Sequence, residues 1–230
     1  RKRAGGVFGA VYKFAVFMNL GIQAFRYAAE PFFFSNAQDK NSPKLFAQVN
    51  HFFVIACCLV WLSISINLDI LKYIIGENFW SGLSIVPVLL LAYLFLGMYY
   101  NFSVWFKLTD KTHYGTLITI IGAVITVAGN YFLIPIAGFM GSAIAAVACY
   151  AAMAAICFAL GQKYYPIPYW MSRDIGYIVF TGALIRLISK VELDNQWLAT
   201  GFHTLIIMAF VALIYWIEKK NLTRSTHSEF

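Results

Sequence analysis

The chain has 230 residues, 61% hydrophobic, 18% aromatic and only 12% charged, with a mean hydropathy of +0.71 and a formal net charge of +7. Soluble domains carry about 25% charged residues, so this composition excludes a soluble globule and predicts an all-α, polytopic transmembrane bundle with spans of roughly 20 residues each. The positive excess is what loop lysines and arginines give a membrane protein, and no basic run interleaved with aromatics points to nucleic acid.

In chain order the apolar stretches predict seven spans, at residues 5–34, 46–68, 85–106, 114–134, 138–161, 175–188 and 197–217. The opening Arg1-Lys2-Arg3 lacks a Met, and the stretch behind it is too long and too charged for a signal peptide; residues 1–230 therefore read as a piece of a longer protein, cut between two spans. In the first span Tyr12, Asn19, Gln23, Arg26 and Glu30 follow helical spacing and form one polar stripe. Charge inside a span is costly and marks a substrate or ion path, or else a pair that neutralises itself. Arg26 and Glu30, spaced i, i+4, allow both readings. A stripe of five polar positions favours a cavity lining, since a polar face in lipid must meet protein or water.

The second span opens on Gln48, Asn50 and His51, where a solvated interfacial histidine is expected. Tyr93, Tyr99, Tyr100, Asn101 and Trp105 resemble an interfacial aromatic belt at the end of the third. Gly115, Gly122 and Gly129 recur every seven residues in the fourth, and the fifth carries small residues from Gly141 to Ala159. With the uncharged link 133–141 between them, these two spans are expected to pack as an antiparallel hairpin. Segments 35–44 and 162–174 are the longest loops, too short for an extramembrane domain. Asp174 and Glu218 fall in loop positions, which leaves Glu30 as the one embedded acid. Arg186, late in the sixth span, is placed to snorkel.

Loop cations divide unevenly. Lys40, Lys44, Lys107, Lys111, Lys163, Arg173, Lys219, Lys220 and Arg224 fall on one side, which the distribution of lysine and arginine assigns to the cytoplasm together with the C-terminus. Lys72, Lys190 and the N-terminal cations fall on the other. Cys57, Cys58, Cys149 and Cys157 lie in apolar stretches without metal-ligand spacing and read as packing residues. No nucleophile-elbow, zinc-protease, P-loop or dinucleotide motif occurs, so no enzyme activity, metal or cofactor is expected.

Three stretches carry a family resemblance: Gly6-Val-Phe-Gly-Ala-Val-Tyr-Lys13 continuing to Ala24-Phe-Arg-Tyr-Ala-Ala-Glu-Pro-Phe-Phe-Phe-Ser35; Asn101 to Tyr114 with Trp105-Phe-Lys-Leu-Thr-Asp-Lys-Thr112; and Asn130-Tyr-Phe-Leu-Ile-Pro135 followed by Gly138 and Gly141-Ser-Ala143. In order and spacing they resemble the Wzx-type oligosaccharide flippases (polysaccharide biosynthesis proteins) of the multidrug/oligosaccharidyl-lipid/polysaccharide exporter superfamily. The resemblance implies the second bundle of a two-bundle transporter, helices eight to fourteen, with the first bundle missing. It implies a substrate, undecaprenyl-pyrophosphate-linked oligosaccharide, moved across the bacterial cytoplasmic membrane in which the chain sits among membrane lipids, with possible H+ or Na+ coupling. Arg26 is then the candidate for the pyrophosphate, with Glu30 as its gate or a cation site; Asn19, Gln23 and Tyr12 would bond sugar hydroxyls. Lys13 is a further cation, off the Arg26 face by more than a quarter turn. The alternatives are a multidrug or lipid II exporter of the same superfamily, a membrane glycosyltransferase, polymerase or ligase of the same pathway, and a structural subunit in which Arg26 and Glu30 merely pair.

Overall fold

A computed structural model describes the backbone of residues 2–191 and 196–227 and the side chains of residues 9, 11–191 and 196–220. Arg1, Glu192, Asp194 and Glu229 lie outside the described residues, as do the side chains of Lys2, Arg3 and Arg224. Every element in the described residues is helical: α1 (Lys2–Asn36), α2 (Ser42–Ile66), the short α3 (Leu68–Leu71), 3-10 turns at Lys72–Ile74 and Glu77–Ile85, α4 (Val86–Phe102), α5 (Val104–Leu108), α6 (His113–Tyr164), α7 (Met171–Ile188) and α8 (Gln196–His227). Among the described residues four stretches, rather than the seven read from the sequence, are long and apolar enough to cross a membrane: Ser42–Ile66, Glu77–Leu108, His113–Tyr164 and Gln196–Lys220. The polar stripe interrupts α1, and α7 carries Arg173, Asp174 and Arg186 in only 18 residues.

Local chemistry explains the boundaries. Pro43 opens α2 in its first turn, where a missing N–H costs nothing. Pro31 is accommodated in α1 less than two turns before its end at Asn36. The 52-residue α6 is broken at Gly138, whose φ of 57° and ψ of −128° only glycine adopts readily. Its two arms fold back on one another as expected. Cys149 Sγ lies 3.2 Å from the Gly122 carbonyl and Tyr114 Oη 2.6 Å from Tyr164 Oη. A Cβ placed on Gly129 would lie 2.8 Å from that of Ala145. The small residues thus set the distance between the arms.

The core is continuous across α1, α2, α4, α6 and α7. Trp61 Nε1 bonds the Pro87 carbonyl at 2.8 Å, and Trp105 Nε1 bonds the Cys157 carbonyl at 3.0 Å. Tyr93 and Tyr99 are buried in this core, and Asn101 is buried too, which corrects the interfacial-belt reading: α4 is wrapped by neighbours. The four cysteines are free and buried, as packing residues. Arg186 is exposed at its helix end.

A smaller cluster at one end joins Ala29, Phe33, Phe46, Ala47, Val104 and Ile167. There the connections of the chain meet: Ser42 Oγ lies 3.3 Å from Tyr165 Oη, and Lys107 reaches α1. Lys40, Lys44, Lys107, Lys111, Lys163 and Arg173 gather at this basic end, and Lys72 lies at the other.

Candidate functional site

The polar stripe of α1 flanks its buried face. Val11, Ala15, Ile22, Ala29 and Phe33 point into the core, and Arg26 and Glu30 sit beside them with side chains 34% and 32% exposed. Helical spacing forces this arrangement, because 3.6 residues per turn puts the stripe a quarter turn or so from the apolar face. Arg26 Nε donates to Glu30 Oε1 at 2.9 Å, a one-point contact and not a bidentate fork. The same oxygen accepts from Lys107 Nζ at 2.5 Å. The Arg26 guanidinium also lies 4.7 Å from the Tyr100 ring centroid, a cation–π distance.

Lys107 is the member that sequence reasoning missed, having assigned it to a loop. The helix breaks at Ser103, whose hydroxyl turns back onto the Tyr100 carbonyl at 2.7 Å, and restarts as α5, which carries Lys107 to α1. Its place in the Trp105-Phe-Lys107 run was the available sign: a lysine one turn past the end of an apolar helix can turn inward as well as out.

The two cations, Arg26 and Lys107, line a pocket of ≈ 430 Å³ together with Tyr99, Tyr100 and, from α6, Gly115, Thr116 and Thr119. Two cations against one carboxylate leave a net charge of +1 at its mouth. Half-exposed guanidinium, ammonium, phenol and threonine hydroxyls are the donors that recognise phosphate and sugar oxygens.

The rest of the stripe is spread along α1. Tyr12 is half-exposed and meets Tyr93 hydroxyl to hydroxyl, fourteen residues and about 21 Å from Arg26. Asn19 Oδ1 is buried without a hydrogen-bond partner, and Gln23 is half-buried. Lys13 faces elsewhere, lining an apolar pocket with Phe17, Leu20, Ile74 and Phe79. The structure therefore brings Arg26 and Glu30 together with Lys107, strings Gln23, Asn19 and Tyr12 beyond them, and leaves Lys13 out.

A second polar cluster overturns the expectations for His51, Asp174 and Glu218. His51 and Asp174 are fully buried, and Glu218 is nearly so. Helix α7 begins a turn earlier than expected and α8 runs a turn or more longer, which turns two loop acids into helix residues facing inward. Asp174 Oδ1 accepts from His51 Nδ1 at 2.5 Å, and Oδ2 accepts from Asn50 Nδ2 at 3.0 Å. Asn101 Nδ2 donates to Asn50 Oδ1 at 3.3 Å. Glu218 accepts from Arg173 Nη2 at 2.7 Å and from Tyr177 Oη at 2.7 Å. The imidazole nitrogens point to opposite sides of the ring, so these groups do not converge on a metal, and no His/Cys/Asp/Glu metal cluster occurs among the described residues. No family model, no curated protein and no solved structure matches the chain.

Proposed function

We propose that this chain is one bundle of a lipid-linked oligosaccharide flippase, with Arg26, Glu30 and Lys107 forming the part of its cavity that takes the pyrophosphate headgroup. The carrying observation is the net-positive triad on the half-buried flank of α1, opening into a pocket that also offers phenol and threonine hydroxyls. Glu30 holds both cations in the empty site, through single contacts that an incoming phosphate can replace. A second bundle against this flank would close the cavity, and rocking of the two bundles would alternate access to it. In this reading α1, α2, α4, the two arms of α6, α7 and α8 all cross a bacterial cytoplasmic membrane, with the basic end in the cytoplasm.

Binding of a short-chain prenyl pyrophosphate to the full-length protein in nanodiscs tests the assignment. Arg26→Ala removes a charge-assisted contact of about 1.5–3 kcal/mol and should weaken binding roughly ten- to hundredfold. In cells the same variant should lose surface polysaccharide while protein stays in the membrane. Unchanged affinity and normal polysaccharide would reduce the triad to a structural clamp between α1 and α5.

A further inference from the structure

We propose that His51 is a buried proton-binding site whose bound proton ties the basic end of α8 to α2 and α7. The inference comes from donor and acceptor geometry. Nδ1 donates its hydrogen to Asp174 Oδ1, which fixes the tautomer of an uncharged ring as Nδ1–H with a bare Nε2. That Nε2 lies 3.3 Å from Glu218 Oε1, near enough to form an ion pair but off the line of a hydrogen bond, so it has no hydrogen-bond partner. Without a proton, a bare and buried ring nitrogen lies 3.3 Å from a carboxylate oxygen, with no positive charge on the ring to offset it. Glu218 is already accepting from Arg173 and Tyr177, as a carboxylate does. The proton that supplies this charge therefore belongs on His51 Nε2.

Charge balance points the same way. The groups facing the ring are Asp174, Arg173 and Tyr177 from α7, Glu218 from α8, and Asn50 of its own helix, itself bonded to Asn101 of α4. Trp170 packs edge-on against the imidazole at 4.9 Å, with the Arg173 guanidinium 4.8 Å from the Trp170 ring. Among these, two carboxylates face one arginine, itself partly exposed; protonated His51 makes the set neutral, whereas the uncharged ring leaves it with one net negative charge. The mechanical consequence lies in α8. Of its described side chains only His203, Phe210 and Glu218 are buried, on one narrow face, and Glu218 is the buried acid among them, in contact with Arg173, Tyr177 and His51. Loss of the proton takes the positive charge from the His51 contact and loosens the basic end of α8.

Ring-nitrogen resonances of isotope-labelled histidines in the nanodisc-embedded protein test this, with His51→Gln assigning the signal. Both His51 nitrogens should read as N–H. Glu218→Gln supplies a carboxamide donor for Nε2, and its signal should then move to the bare-nitrogen position. A spin label at exposed position 220 should be more mobile in His51→Gln, whose side chain carries no charge, than in the unaltered protein. One bare His51 nitrogen in the unaltered protein would overturn the proton site, and a label indifferent to His51→Gln would overturn the tie to α8. Neither result bears on the Arg26 pocket, so failure here and failure of the flippase reading are separately visible.

Discussion

At Gly129 the two arms of α6 leave no room for a side chain. An alanine Cβ there would sit 2.8 Å from Ala145 Cβ and 3.4 Å from Ala145 Cα. Ordinary carbon contacts are about 3.5–4.0 Å, so the methyl groups overlap by about an ångström. Ala145 has no rotamer to change and is buried, so the arms must part. Parting them also strains the Cys149–Gly122 contact one turn or so along. Overpacking of this kind costs about 1–3 kcal/mol. Gly176→Ala is the matched control: it lies within α7, its added Cβ meets nothing within 4 Å, and helix propensity alone should leave it neutral or up to about 1 kcal/mol more stable. Equilibrium unfolding in mixed micelles would read both. If the two variants unfold together, the close approach of the arms is not what Gly129 secures.

Other outcomes follow from single contacts. Asn50→Leu strips Asp174 Oδ2 and Asn101 of a partner at once, and should cost about 1–3 kcal/mol in the same unfolding assay, more than Asn→Leu at exposed Asn41. Trp105→Phe keeps the ring beside Tyr164, 5.5 Å between centroids, but frees the Cys157 carbonyl; a loss of about 1 kcal/mol is expected, and no loss would show that carbonyl to be satisfied otherwise.

The sequence made the helices legible because apolar length and glycine spacing are local properties. The hairpin of α6 was readable from Gly122, Gly129 and the uncharged link, and the pairing of Arg26 with Glu30 from their i, i+4 spacing. Lys107 was not, because its inward turn depends on the Ser103 break and on α1 lying alongside α5. His51, Asp174 and Glu218 escaped for a related reason. Each sits near a helix end, where a polar side chain reads as solvated, and only the packing of α2, α7 and α8 makes it internal. A boundary misplaced by one turn was enough to move two acids from loop to core.

The reversal at Gly138 bears on how the chain enters a bilayer. Residues 133–141, the crown of the hairpin, carry no ionisable side chain. Carrying a charge to the middle of a membrane costs about 2.5–3.5 kcal/mol even in the translocon's reckoning, and this crown avoids it. The two arms, held together by backbone approach at Gly122 and Gly129, can enter the lipid as one closed unit and dock on α4, which the ribosome has made before them.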